Sequence, residues 1–219
     1  MIKGVIFDLD GTTLNTLDDI IDSFNATAEE AGYAPRSRDT IRMGVGRGFR
    51  VLVDRVLPEV SDEEERERLA LRYREQYAQR YANKTRPYEG IAELLEKLQA
   101  DGIRMAVDSN KSDFFVKSLI EKNFPGIEFS DVMGSLPKYP LKPDPGRALK
   151  MIENMGFNKE EVLYVGDSET DMKTAVNAGV LSIGCLWGFR DRQTLKENGA
   201  ACLVETPEEI YELIKEKNQ

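Results

Sequence analysis

The chain has 219 residues, 41% of them hydrophobic, enough for one large compact domain or two small ones. A formal net charge of −9 with no basic patch argues against nucleic acid as a partner. The absence of histidine removes imidazole acid–base chemistry and histidine metal sites, leaving carboxylates, Lys, Tyr and Cys as actors. No stretch approaches the roughly 18 apolar residues of a membrane helix, and Asp8 interrupts the N-terminal apolar run, so neither a span nor a signal segment is expected. Cys185 and Cys202, each in an apolar stretch, read as reduced core residues of a cytoplasmic protein.

The first predicted element is a buried strand, Gly4–Leu9, within "VIFDLDGT". Asp8 and Asp10 are two residues apart, so on a strand they project the same way. Two neighbouring carboxylates taken out of water repel each other, and the arrangement calls for a positive charge between them. A segment without strand character follows. Thr16–Gly32 places Leu17, Ile20, Ile21, Phe24 and Ala28 on one helical face, and Thr40–Leu57 reads as one or two short helices interrupted by "GVGRG". "SDEE" at Ser61 predicts a capping box with Glu64, opening a long charged helix that reaches about Ala82. This helical stretch predicts an inserted second domain, residues 16–85, with residues 1–15 and 86–219 forming the core. Leu14–Thr16 and Thr85–Gly90 would be the hinges.

From Tyr88 onward strands alternate with helices. The predicted helices are Ile91–Ala100, Phe114–Lys122, Gly146–Met155 and Asp171–Ala178. The predicted strands are Arg104–Asp108, Val162–Val165, Leu181–Leu186 and Ala201–Val204, with a further short one at Asp131–Leu136. The pattern predicts an α/β protein: a doubly wound, mainly parallel, Rossmann-like sheet with an inserted all-helical domain.

Open sheets of this kind bind ligands at the carboxyl ends of their strands. Four polar stretches fall there: Asp8-Leu9-Asp10-Gly11-Thr12, "DSNK" at Asp108–Lys111, "LKPDP" at Leu141–Pro145, and "GDSETD" at Gly166–Asp171. Each has an ordinary explanation as a turn, an exposed loop or an acidic helix start. Four together, supplying acids, a hydroxyl, an amide and a lysine, point to a site.

In these motifs the chain resembles the haloacid dehalogenase-like hydrolases, and among them the phosphoglycolate phosphatases. DxDGT, a hydroxyl at the next strand end, a lysine and GDxxxD occur in order. "KPDP", "PYEG", "WGFR" and "GVGRG" carry the narrower likeness. The resemblance implies Asp8 as nucleophile, forming an aspartyl-phosphate, and Asp10 as the acid that protonates the leaving oxygen and then deprotonates water. It implies Mg²⁺ held by Asp8, Asp167 and the main-chain carbonyl of Asp10, with Asp171 ligating weakly or orienting bound water. Ser109 and the amide of Asn110 would hold phosphate oxygens, and Lys142 would neutralise phosphate and nucleophile. The partner implied is a small phosphorylated metabolite.

Departures from the family pattern are Ser109 in place of Thr, Asn15-Thr16 where many relatives carry Asp-Ser, and an acid, Asp108, directly before Ser109. Asp108 would either turn away to pair with a base or weaken phosphate binding. Rival readings are a pyrophosphatase, a sugar-phosphate phosphatase, or a non-catalytic phospho-acceptor module. The acid two residues after the nucleophile and the helical insert speak against the last. A calcium loop is disfavoured because the twelfth position from Asp8 is Asp19 rather than Glu. In the insert, Arg47 has two readings, a solvated loop charge or a guanidinium that grips a substrate carboxylate near the phosphate.

Overall fold

The computed structural model describes residues 1–219, which divide into two compact units, Met1–Leu14 with Pro87–Gln219, and Asn15–Arg86. Their elements in chain order are β1 (Gly4–Phe7), β2 (Leu14–Asn15), α1 (Leu17–Glu30), α2 (Arg38–Gly44), α3 (Gly48–Val56), α4 (Glu63–Arg80) and β3 (Arg86–Pro87). There follow α5 (Ile91–Ala100), β4 (Arg104–Ser112), α6 (Asp113–Asn123), β5 (Asp131–Ser135), α7 (Gly146–Met155), β6 (Val162–Gly166) and α8 (Glu169–Ala178). The last are β7 (Leu181–Cys185), α9 (Arg192–Glu197), β8 (Cys202–Val204) and α10 (Pro207–Asn218).

The first unit is built on a parallel sheet of order β5-β4-β1-β6-β7-β8. β1 lies between β4 and β6, Phe7 pairing with Val107 on one side and Val165 on the other. β1 and β6 are buried along their whole length, as unbroken apolar runs covered on both faces must be. On one face Ile6, Ala106 and Tyr164 pack with Ala148, Met151, Ile152 and Met155 of α7 and Ala175 and Ala178 of α8. From β1 the strand order runs outward in both directions, which puts the topological switch at the carboxyl ends of β4, β1 and β6.

β1 stops at Phe7, two residues short of the predicted strand, because Leu9 turns the chain. The Leu9 carbonyl accepts the N–H groups of Thr12, Thr13 and Leu14 at 3.3, 3.1 and 3.0 Å. β4 instead runs past Asp108 to Ser112, which regains pairing with Ser135 after an irregularity. The two C-terminal helices, α9 and α10, add to the predicted set, although Thr206-Pro207-Glu208-Glu209 carries a helix-start signature.

The second unit is all helical apart from the residues of β2 and β3 at its ends, and α1 and α3 pack on α4. Its core contains Ile20, Phe24, Leu52, Val53, Leu69 and Tyr73, with Phe24 and Phe49 edge-on to Tyr73 at 5.5 and 5.1 Å. The N-cap of α4 is Asp62, not Ser61; its Oδ1 accepts the Glu65 N–H at 2.9 Å. Both residues are good caps followed three positions later by Glu. The Asp62 register places Glu63, Glu64 and Glu65 in the first turn, where the helix dipole favours them. Asp19, buried on α1, accepts the main-chain N–H groups of Lys84 and Thr85 at 3.0 and 2.8 Å and the Thr85 hydroxyl at 2.7 Å. One carboxylate thus fastens the unit's last residues to its first helix.

Candidate active site

Lys142 is the centre of a buried cluster at the carboxyl ends of the central strands. Its Nζ donates to Asp8 Oδ1 at 2.8 Å, Asp171 Oδ1 at 2.7 Å and the Asp108 carbonyl at 2.8 Å, which engages all three ammonium protons. Burial works against this charge, but Asp171 and Asp8 outweigh it and hold the ammonium well above the ordinary lysine range. The carboxylate oxygens of Asp8, Asp167 and Asp171 lie within 4.8 Å of one another. Burial, then Asp171, pushes Asp8 well above the usual carboxylate range despite Lys142. Burial and Asp171 likewise raise Asp167 to about 7, against the Phe189 N–H, Arg190 and the Thr12 hydroxyl. Three oxygen donors under mutual repulsion are a fitting set for a hard divalent cation.

Asp167 is held from several sides. Thr12 Oγ1 donates to it at 3.1 Å and the Phe189 N–H at 2.6 Å. Gly11 has φ +91°, and a Cβ there would fall 2.2 Å from Asp167 Oδ2; a Cβ on Gly188 would fall 2.2 Å from the Asp167 Cβ. Only glycine permits either approach. Trp187 Nε1 donates to the Thr12 carbonyl at 3.0 Å, joining the segment after β7 to the DxDGT turn. "WGFR", notable in the sequence only as a family cue, is therefore a brace for an acid of the cluster. Asp171 opens α8 through a reciprocal cap: its Oδ2 accepts Ser168 N–H and Oγ–H at 3.0 and 2.6 Å, while Oδ1 receives Lys142. The ordinary helix-start reading therefore holds for this residue, which also belongs to the cluster around Lys142.

Asp10 lies apart from the three clustered acids and is paired with Lys111, whose Nζ reaches its two oxygens at 2.7 and 2.9 Å. Sequence reasoning attached no role to Lys111, though it sits in "DSNK". Ser109 is buried, and its Oγ accepts the Lys111 N–H at 3.2 Å. The Asn110 side chain clasps the main chain of Lys142: Oδ1 accepts the N–H at 2.8 Å and Nδ2 donates to the carbonyl at 3.1 Å. Asp108 has the first of its two expected fates. It pairs with a base, Arg147, whose Nε donates at 2.7 Å, while the Tyr164 hydroxyl donates to its other oxygen at 3.1 Å. Arg47 belongs to the helical unit, where it is the N-cap residue of α3 and its Nε has no hydrogen-bond partner.

The chain belongs to the haloacid dehalogenase-like hydrolases, whose family profile matches residues 5–185. It is 36% identical over 198 residues to a phosphoglycolate phosphatase of Agrobacterium fabrum, covering 85% of this chain and 81% of the relative. It is 35% identical over 205 residues to one of Psychrobacter arcticus, covering 88% and 87%. A crystal structure from Lactobacillus delbrueckii subsp. bulgaricus, provisionally named a phosphoglycolate phosphatase, superposes with a TM-score of 0.92 at 31% identity, covering 97% of this chain and 98% of that one. No helix is long and apolar enough to cross a membrane.

Proposed function

We propose that the protein is a Mg²⁺-dependent phosphatase that hydrolyses a small phosphomonoester, phosphoglycolate first among candidates, through an aspartyl-phosphate on Asp8. The observation that carries this reading is the position of Asp8: a buried carboxylate, one oxygen held by Lys142 at 2.8 Å, beside Asp167 and Asp171 and two residues before a second acid. Lys142 orients Asp8 and offers positive charge to the transferring phosphoryl group. An Asp8 oxygen attacks phosphorus as the ester P–O bond breaks, and Asp10, which must enter this step protonated from solvent with its Lys111 pairing relaxed, gives that proton to the departing alkoxide. Asp10 then takes a proton from water, whose oxygen attacks phosphorus, freeing inorganic phosphate and restoring Asp8. A divalent cation held by Asp8, Asp167 and the Asp10 carbonyl, with Asp171 near, would neutralise charge on the phosphoryl oxygens.

Substrate choice is assigned to the helical unit acting as a cap, with Arg47 reading the substrate carboxylate. The support is the likeness to named phosphoglycolate phosphatases. Phosphate release from phosphoglycolate, sugar phosphates, pyrophosphate and an aryl phosphate, each with and without Mg²⁺, tests the reading. Mg²⁺-dependent turnover highest on phosphoglycolate is expected; no release from any monoester would sink the proposal. Arg47→Ala should reduce turnover of phosphoglycolate alone, and equal losses on the aryl phosphate would remove Arg47 from substrate selection.

A further inference from the structure

The most deeply buried charge pair in the α/β unit is not needed by the chemistry above. Arg147 is 1% exposed and Asp108 fully buried, and both stand close behind the site. Arg147, on the first turn of α7, uses each nitrogen of its guanidinium: Nε on Asp108 Oδ1 at 2.7 Å, Nη2 on Asn110 Oδ1 at 2.8 Å and Nη1 on the Gly134 carbonyl at 3.2 Å. Asn110 in turn clasps both main-chain groups of Lys142, five residues before Arg147. The hydrogen bonds and the chain from Lys142 to Arg147 therefore close a ring. A second link runs through Asp108, whose carbonyl accepts Lys142 Nζ at 2.8 Å.

A buried ion pair is a poor device for stability alone, because apolar residues of similar volume commonly do as well. What a planar fork adds is fixed geometry among three acceptors. We propose that Arg147 and Asp108 are positioning residues: they hold Asn110 and the Lys142 loop in register, and so set the affinity of the site for phosphate. The proposal rests on the phosphatase reading. Without the guanidinium, Asn110 Oδ1 loses one of its donors and the amide plane is less firmly held, which loosens its clasp on the Lys142 main chain. The Lys142 ammonium keeps its bonds to Asp8, Asp171 and the Asp108 carbonyl, so the nucleophile stays oriented and binding of the phosphate group should suffer more than the covalent step.

The test compares the wild type with Arg147→Met and with the double variant Asp108→Asn/Arg147→Met. The double variant removes both charges yet leaves Tyr164 an acceptor. In Arg147→Met, KM for an aryl phosphate and the inhibition constant of inorganic phosphate should each rise about tenfold, with kcat changed less than about threefold. Amide exchange in the segment 138–146 should quicken. The double variant should recover melting temperature relative to Arg147→Met while keeping the raised KM. A double variant that recovers both would show the pair to be structural only and overturn the proposal, as would unchanged KM and exchange in Arg147→Met. Should the wild type release no phosphate from any monoester, the phosphatase reading falls, and exchange decides the positioning role: unaltered protection of 138–146 refutes it.

Discussion

Arg50 of the helical unit donates to Glu63 and Glu67 at 2.7 and 2.9 Å, and Arg72 to Glu30 at 2.6 Å, with the three carboxylates 72%, 59% and 45% exposed. Lys142 of the α/β unit makes contacts of the same length, 2.8 and 2.7 Å, to Asp8 and Asp171, yet its side chain is 3% exposed and theirs 8% and 1%. The bonds look alike and differ in their surroundings. Around the arginines, water and salt screen the charges and replace a lost partner, so a deleted pair is quickly compensated. Around Lys142 no solvent is available, and removing one charge strands the others. Ion-pair geometry therefore says little about importance until burial is known, and in this chain burial concentrates the important charges at the ends of three strands.

Asp8→Asn tests the buried side most severely. It removes the proposed nucleophile with almost no change in shape, so the protein should fold while phosphate release drops by at least about a thousandfold. Turnover near the wild-type level would refute the covalent mechanism. Asp10→Asn should slow both half-reactions, and an aryl-phosphate assay with acid quench should find any aspartyl-phosphate longer-lived. Next in size is Lys142→Met, which leaves Asp8 and Asp171 facing each other without a cation between them. Loss of one partner of a buried pair costs about 3–5 kcal/mol, and thermal melting at neutral pH without Mg²⁺ should show it. A melting point equal to wild type would mean that the cluster tolerates its own repulsion.

A subtler probe is pH. Asp167 has a folded value of about 7, raised from 3.8 by burial and by Asp171, against the Phe189 N–H, Arg190 and the Thr12 hydroxyl. Between those two values the folded chain holds a proton that the unfolded chain has released. Stability must therefore fall as pH rises from about 4 to about 7, and level off above. Metal-free protein should melt higher at pH 5 than at pH 8, and Mg²⁺ should narrow the gap by stabilising the ionised cluster. Asp167→Asn should flatten the slope; the same slope in that variant would assign the effect elsewhere. The smallest effect belongs to the exposed side. Arg72→Ala should move the melting midpoint by no more than about 2 °C, and a drop as large as that of Lys142→Met would erase the contrast between the two regions.

Much of this arrangement is legible in the sequence. Unbroken apolar runs such as Val162–Val165 mark doubly covered strands, and acids that interrupt or follow them stand out because burial makes them costly. Asp8 and Asp167 stand out for that reason, and Lys142 through its place in "LKPDP" among the four polar stretches and through the family resemblance. Arg147 does not: it sits 39 residues from Asp108, on a helix whose pattern reads as ordinary, and no local signal links the two. The brace on Asp167 was hidden in the same way, since the Phe189 N–H is a main-chain group and carries no residue signature. The α4 cap slipped by one residue because Ser61 and Asp62 are near-equivalent caps, each with Glu three places on. Lys111 was in plain sight, but its partner Asp10 is 101 residues away. Short-range chemistry survives in sequence; long-range pairing does not.

The bond from Asp19 to Lys84 and Thr85 has a consequence for how such a protein can be altered. Because the entry and exit of the helical unit are tied to each other within the unit, the segment behaves as a cassette with its own closure. Closure of an inserted unit on itself favours its being accommodated as an insertion. Exchanging residues 15–86 for the corresponding segment of a relative, Asp19 and Thr85 equivalents included, should give a folded protein, and phosphate release across a panel of monoesters would show whether substrate preference travels with the segment. Grafts cut inside that bond would leave two loose strands of chain and a buried carboxylate with nothing to accept.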